Sequence, residues 1–428
     1  MPLRSDILGS AVDALELSYR VYDLLVRVGG RPAPTVQAWT GDERGLATAP
    51  GTIILHRPGA FRSMLLPPND LSAAEAYIFG DIEFEGDLFS ILDFGGRLGE
   101  AKKSPLLKLQ LLRLLRKLPE DSNKDTEARA EFKGLLHSRR RDKAAVTHHY
   151  NTGNDFFRQF LDPEMVYSSA HFLSPSETLE QAQRRKLDMI CRKLRLSPGM
   201  RFLDVGCGWG SLVIHAAREY GVAATGITLS GEQAVEARER VDRAGIGDRV
   251  EILERDYREL DGEYDAIASV GMVEHVGRKE LPNYFATLRR ILSPGGQLLN
   301  HGIVTRDRKI RRVTPTFINT YVFPDGELTT IDAIAGAAEG AGFEVRDVES
   351  LRASYALTLR HWVANLEHNR DAAIEATEET TYRIWRLYMA GSAVAFERAA
   401  ISVYQVLLSD PARPWTFGRK TLLAGDDY

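Results

Sequence analysis

Residues 203–210 read Leu-Asp-Val-Gly-Cys-Gly-Trp-Gly, a short apolar run that ends in an acid and breaks into three glycines at alternate positions. Gly206, Gly208 and Gly210 let the backbone turn tightly and approach a ligand, and a helix expected from about Ser211 offers the free N–H groups of its first turn. A dinucleotide site would show G-x-G-x-x-G, to seat a pyrophosphate on the helix terminus. The spacing here is G-x-G-x-G, and Asp204, ahead of the first glycine, would repel a pyrophosphate while suiting a cationic or amino-bearing ligand. S-adenosylmethionine (AdoMet), which carries an ammonium and a sulfonium, is the cofactor this loop fits. The alternative is a ligand-free turn, but such a turn need not accept the chain entropy that these glycines cost.

The elements that would position this loop form an alternating series. Strands are expected at Phe202–Val205, Ala223–Leu229, Val250–Leu253, Tyr264–Val270 and Gln297–Val304, with helical patterns between them and a turn at Pro294-Gly295-Gly296. This spacing predicts an α/β fold with a doubly wound, Rossmann-like parallel sheet and ligands at the carboxyl ends of its strands. Phe396–Leu408 is expected to add a reversed edge strand. Ahead of this 146–428 domain, residues 1–98 read as a small mixed domain with short segments such as Gly51–His56 and Ala76–Gly80 and a turn at Pro67–Asp70.

Residues 99–145 are expected to be a basic helical linker. Ser104-Pro105 is a plausible helix start, and Leu107, Leu111, Leu114 and Leu118 recur on one face. Lys102, Lys103, Lys108, Arg113, Arg116 and Lys117 occur there without an acid, and Arg139-Arg140-Arg141 follows. Such a helix can lie on an anionic membrane surface, each basic residue contributing about 1 kcal/mol near the lipid. It can equally be an inter-domain helix whose leucines pack inward.

The 428 residues are too many for one ordinary core, and a hydrophobic share of 44% with 27% charged residues describes a globular chain. A net charge of −4 argues against bulk nucleic-acid binding. Cys191 and Cys207, the only two cysteines, cannot make a disulfide framework or a zinc site. His148 and His149 are adjacent and do not share a helix face, so a histidine metal site is not indicated. With no signal-like or spanning apolar run, the expected setting is cytoplasmic.

The motifs together resemble the cyclopropane fatty-acid synthase family of AdoMet-dependent methyltransferases. The resemblance rests on His149-Tyr-Asn151-Thr-Gly153-Asn154-Asp155-Phe156-Phe157, Leu161-Asp162-Pro163, Tyr167-Ser168-Ser169-Ala170 and the glycine loop. Gly226-Ile-Thr228-Leu-Ser230-Gly-Glu-Gln233, Ser269-Val-Gly-Met-Val-Glu274-His275-Val-Gly277, Leu299-Asn-His301-Gly-Ile303, Tyr321-Val-Phe-Pro324-Asp-Gly326 and Ser354-Tyr355 follow in order. It implies a class I methyltransferase sheet with helical insertions and an extra N-terminal domain like that of the phospholipid-acting synthases. Segments such as Gly134–Ser138, Leu298–His301 and Leu387–Met389 are equally similar to the branch that makes methylene fatty acids. The resemblance also points toward homodimers, for which the N-terminal block is a candidate contact.

By this resemblance Tyr167, Ser168, Gly206, Gly208, Thr228 and Gln233 hold AdoMet, and Asp256 lies where a residue contacts the adenine. Ser230 can also be read simply as the cap of the next helix. Methyl transfer to an alkene leaves a carbocation, and a proton must then leave. In the family the base is a bound bicarbonate, held by residues that match Glu274, His301, Tyr355, the backbone of Ile303 and a cysteine, here Ser169. Asn151 similarly stands where an aspartate is common. His275 is read as packing. Phe323, Trp362, Trp385, Tyr388 and Phe396 are candidates for an apolar acyl tunnel and for core. The expected enzyme methylates unsaturated phospholipid acyl chains at the inner face of the membrane, giving a cyclopropane. A methylene-branched product is the near alternative, and a non-catalytic lipid-binding scaffold is the alternative of another class.

Overall fold

The computed structural model describes residues 3–100, 105–123, 152–307, 316–324 and 326–412. Lys102, Lys103, Arg139–Arg141, Gly134–Ser138, His148, His149 and Asn151 lie outside them. Contacts divide the chain into two units, and the first gathers 3–100 and 105–123 together with 316–322 and 378–394. Two stretches of the expected 146–428 domain therefore cluster with the N-terminal one.

The first unit begins with the helix α1 (Leu3–Gly29), followed by β1 (Thr35–Gln37), β2 (Glu43–Arg44), β3 (Gly51–Leu55), α2 (Ala60–Leu65), α3 (Asp70–Ile78), β4 (Ile82–Gly86), α4 (Leu88–Glu100) and α5 (Pro105–Leu115). Its sheet runs β2-β1-β3-β4, with β1 parallel to β3 and the other pairs antiparallel. The expected turn at Pro67–Asp70 is the entry to α3, where Asn69 Oδ1 accepts from the Ser72 N–H at 2.8 Å and satisfies one open donor of the first turn. Ala76–Ile78 is accordingly helical. The buried carboxylate of Asp81 accepts from Ser63 Oγ, Ser122 Oγ and the Asn123 N–H, and pairs with Arg57 at 3.2 Å. These bonds make the chain up to residue 123 part of this unit. Arg383 donates to the Tyr77 carbonyl at 2.9 Å and lies over its ring, which fastens 378–394 to α3. Proline opens α5, where its missing N–H costs nothing. Leu115 and Leu118 are buried, whereas Leu106 is 72% exposed and Leu109 44%.

The second unit holds α6 (Asn154–Arg158), α7 (Leu179–Lys193), β5 (Arg201–Val205), α8 (Ser211–Tyr220), β6 (Ala223–Thr228), α9 (Gly231–Arg243), β7 (Val250–Glu254) and β8 (Tyr264–Val270). After these come α10 (Val273–Val276), α11 (Leu281–Ile291), β9 (Leu292–Thr305), α12 (Ile331–Gly340), β10 (Glu344–Ser350), α13 (Arg352–His368) and β11 (Ile401–Ser409). The seven strands are ordered β10-β11-β9-β8-β5-β6-β7, parallel except where β11 runs against both β9 and β10. On one face Leu187, Ile190, Val213 and Ala237 cover Phe202, Ala224 and Ala268; on the other Tyr284, Phe285, Leu288, Ile334 and Ala338 cover Leu203, Val205, Ile267 and Leu298. The reading of a doubly wound α/β sheet stands.

Two expectations need correction. The reversed strand is interior, not at the edge: β11 is flanked on both sides, and Phe396 belongs to the preceding helix, Glu379–Glu397. The edge is β10, whose Glu-Val-Arg-Asp-Val-Glu-Ser lacks an apolar run. Pro294–Gly296 is not a turn before the fifth strand but an irregularity inside β9, where pairing with β8 jumps from Tyr264↔Leu292 to Ala266↔Gln297.

Candidate active site

Strand β5 delivers Asp204 and the glycine loop to the carboxyl end of the sheet. Gly206, Gly208 and Gly210 take φ of +83°, +54° and +82°, in the left-handed region that L side chains avoid. A Cβ on Gly206 would stand 2.5 Å from Met272 Cγ, whereas Gly208 faces open space. The loop is anchored from below, since the Gly206 and Cys207 N–H groups both donate to the Ile227 carbonyl of β6. Trp209 is buried against Phe157 and donates its indole N–H to Asn154 Oδ1 at 2.8 Å. Asp204 is buried, its Oδ1 has no partner among the described residues, and burial pushes its pKa up to about 7 against the pull of Lys186.

At the end of β6, Thr228 Oγ1 donates to Gln233 Oε1 at 2.8 Å, and Ser230 Oγ accepts from the Gln233 N–H as the cap of α9. The reading of Ser230 as the cap of the next helix is thus what the structure shows. Asp256, buried beyond β7, is engaged by the Arg258 guanidinium at 2.6 Å and caps the short turn that follows. Tyr167 and Ser168 are half-buried; Tyr167 packs against Phe157 and Trp362. The segment is fixed by α7, from which Gln183 Nε2 donates to the Ser168 carbonyl and Lys186 Nζ to Ser168 Oγ, both at 2.8 Å.

Glu274, at the start of α10, accepts the Ile303 N–H on Oε1 at 2.7 Å, while Oε2 is buried with no partner among the described residues. Burial raises its pKa to about 7, so the carboxyl is substantially protonated at neutral pH. The Ile303 N–H, expected to face an anion, is thus already committed to Glu274. Two residues back on the same face of β9, His301 is buried, with Nδ1 3.3 Å from Gln405 Nε2 and its own Nε2 without a partner among the described residues. Burial, then Lys186 and Lys193, depress its pKa to about 3, so the ring is neutral. Ser169 is fully buried and donates its hydroxyl to the adjacent Ala170 carbonyl at 2.9 Å. The Ala170 N–H in turn reaches Thr358 Oγ1 on α13, one turn from Tyr355, which stacks on Phe396 at 4.6 Å.

The structure therefore joins Glu274 to Ile303, two residues from His301 on β9, and ties Ala170, the neighbour of Ser169, to the helix that carries Tyr355. Lys186 acts electrostatically on His301 and bonds Ser168. His275 packs on Phe323, as expected of a packing residue. Trp362 and Phe396 line the surroundings of Tyr355; Trp385 and Tyr388 pair edge to face in the first unit. Sequence reasoning missed Lys186, Gln183, Met272 and Gln405. The inward phase of Gln183, Lys186, Leu187 and Ile190 along α7 is the signal that could have found the first two.

Comparison with known proteins gives a consistent set of relatives. The family described as "Mycolic acid cyclopropane synthetase" matches residues 137–406. A "Probable fatty acid methyltransferase" of Pseudomonas putida is 39% identical over 392 residues, 89% of this chain and 94% of that protein. The cyclopropane-fatty-acyl-phospholipid synthase of Escherichia coli K12 is 40% identical over 274 residues, 64% of this chain and 70% of that one. Among solved structures, a mycolic acid cyclopropane synthase complexed with SAH (S-adenosylhomocysteine) and CTAB aligns with a TM-score of 0.59 at 36% identity, covering 62% of this chain and 98% of that one.

Proposed function

The chain belongs to the mycolic acid cyclopropane synthetase family of AdoMet-dependent methyltransferases, and from that premise we propose that it methylates the double bond of an unsaturated phospholipid acyl chain to form a cyclopropane. The sulfonium methyl is transferred to one alkene carbon, sulfur keeps the electron pair of the broken bond, and S-adenosylhomocysteine is left. The neighbouring carbon becomes cationic. Loss of a proton from the new methyl closes the ring with the electrons of that C–H bond, whereas a hydride shift before proton loss gives a methylene branch.

The observation that carries this reading is the pair of buried atoms without partners, Glu274 Oε2 and His301 Nε2, beside the face of β9 that holds Ile303. Unfilled polar groups at this depth fit a small oxyanion that accepts from both, since a protonated Glu274 and a neutral His301 can each donate one proton. Bicarbonate, the anion the family uses, would supply the base there when bound. The chain's own residues do the rest: the Ile303 N–H fixes Glu274, Gln405 fixes His301, and Tyr355 and Trp362 present aromatic faces near the developing cation. Ser169 can offer this anion its backbone N–H, its hydroxyl proton being taken by the Ala170 carbonyl.

Access to the lipid is assigned to α5. Leu106 and Leu109 stand exposed beside Lys108, Arg113, Arg116 and Lys117, a combination suited to an anionic membrane surface. Among the described residues no helix is long and apolar enough to cross a membrane. The deciding experiment incubates the enzyme with methyl-labelled AdoMet and unsaturated phospholipid vesicles, then fragments the product chain by mass spectrometry. A ring is expected, a methylene product assigns the other branch, and the absence of label in lipid rejects the function. Ser169→Cys, assayed with and without bicarbonate in depleted buffer, tests the anion separately and is expected to steepen the dependence on added bicarbonate.

A further inference from the structure

Helix α7 turns two lysines inward. Lys193 and Lys186 are each 1% exposed, but they are satisfied differently. Lys193 pairs with Glu349 at 2.5 Å and Asp347 at 3.7 Å, so its charge is neutralised by β10. Lys186 has no carboxylate within 4 Å among the described residues, and its Nζ donates to Ser168 Oγ at 2.8 Å. Asp162 and Asp204 pull on it from a greater distance and oppose a burial that lowers its pKa to about 8, so it remains charged at neutral pH. A buried ammonium with so little compensation is costly unless it serves a ligand. Asp204 Oδ1 is likewise buried and, among the described residues, without a hydrogen-bond partner.

The amino-acid end of AdoMet carries one carboxylate and one ammonium. A serine hydroxyl has one proton to donate and lone pairs to accept with. Because Lys186 occupies a lone pair of Ser168 Oγ, the hydroxyl proton is directed away from the lysine and is strengthened as a donor by the adjacent charge. We propose that Lys186 is a positioning residue that orients and polarises the Ser168 hydroxyl to bind the carboxylate of the cofactor's methionine end, while Asp204 receives the ammonium. The pair Lys186–Ser168 thereby sets selectivity for the intact amino-acid cofactor. Gln183 assists by holding the Ser168 carbonyl. This inference rests on the AdoMet site alone; it is independent of the product formed and of any anion beside Glu274.

The test is equilibrium binding by calorimetry, without turnover, of AdoMet and of decarboxylated AdoMet, which keeps the ammonium and sulfonium but lacks the carboxylate. Wild type is expected to prefer AdoMet by about 10- to 100-fold, as one charge-assisted hydrogen bond would give. Lys186→Met should erase most of that preference by weakening AdoMet while leaving decarboxylated AdoMet within about threefold. Lys186→Arg should retain part of it. Ser168→Ala, which leaves the lysine and the α7 core in place, should lose the preference even if Lys186→Met fails to fold. Equal weakening of both ligands in Lys186→Met would make the lysine merely structural, and an intact preference in Ser168→Ala would overturn the proposal. A wild type that binds neither ligand would instead remove the AdoMet site itself.

Discussion

Gln405 stands directly opposite His301 in the β11–β9 register, and their side chains meet with Nε2 3.3 Å from Nδ1. With the amide nitrogen donating, Nδ1 must accept, so the proton of the neutral ring sits on Nε2, the atom that lacks a partner. The glutamine thus decides whether His301 offers its surroundings a donor or an acceptor. Gln405→Glu replaces the donor with an acceptor and should move the proton to Nδ1. Nitrogen-15 NMR of labelled histidine should report the Nε2–H tautomer in wild type and Nδ1–H in the variant, with turnover lower by about tenfold or more, the worth of one hydrogen bond. Identical spectra would detach Gln405 from this role.

Glu274→Gln keeps the acceptor for the Ile303 N–H and a donor in place of the protonated oxygen. The half-saturating concentration of bicarbonate should change little, while turnover falls by roughly 10²- to 10⁴-fold, because an amide cannot pass on the proton that the anion takes up, and AdoMet affinity holds. Stability carries a second signature. The folded pKa of about 7 lies above the ordinary 4.5, so between these values the folded state holds a proton that the unfolded state has lost. The stabilisation this gives is complete below about pH 4.5 and disappears as pH rises through about 7. Glutamine cannot ionise, so melting curves should show the variant gaining on wild type between about pH 4.5 and 7 and a constant difference above that. A difference constant across the whole range would mean that Glu274 is ionised throughout.

The glycines of the loop are not equivalent. Gly206→Ala must displace Met272 as well as strain a φ of +83°, and should reduce AdoMet affinity at least tenfold in a protein that still folds. Gly208→Ala meets no atom within 4 Å and should lower stability by about 1 kcal/mol through its backbone alone. Calorimetry and thermal melts of the two variants check this order, and the reverse order would exclude Met272 from shaping the loop.

On α5 and the turn that follows it, reversing Lys108, Arg113, Arg116 and Lys117 should abolish co-sedimentation with anionic vesicles while leaving AdoMet affinity unchanged. Raising the salt should imitate the mutation, because the attraction reaches only about 8 Å at physiological ionic strength. Leu106→Glu should weaken binding even at low salt. Indifference to all three changes would make α5 a structural helix of the first unit.

Much of the cofactor region was legible because it is local in sequence. The strand, the acid, three glycines and the next helix are contiguous, and their chemistry follows from backbone conformation and charge. The order of β5 to β9 was equally open, since buried parallel strands are nearly continuous apolar runs. The groups that complete the site were not. Lys186 reads as one more cation in a charged helix, and only its phase relative to Leu187 and Ile190 turns it inward. Gln405 interrupts an apolar strand without any local reason, and its partner is more than one hundred positions away. Strand β10 was hidden because an edge strand with alternating charges has no hydrophobic signature, and its absence from the sequence reading is why β11 was taken for the edge.

The interior position of β11 has a consequence for how the chain is made. A ribosome releases β9 well before it synthesises residues 401–409, so the growing polypeptide carries an apolar strand with one side unzipped while the residues between Thr305 and Ile401 are made. Neither β10 nor the imidazole of His301 can reach its final neighbour during that interval. An open strand edge is a template for pairing with other nascent chains, which makes this a protein whose half-finished copies need shelter. Copies that end before Ile401 would carry the glycine loop yet lack Gln405, the residue that faces His301 across the sheet.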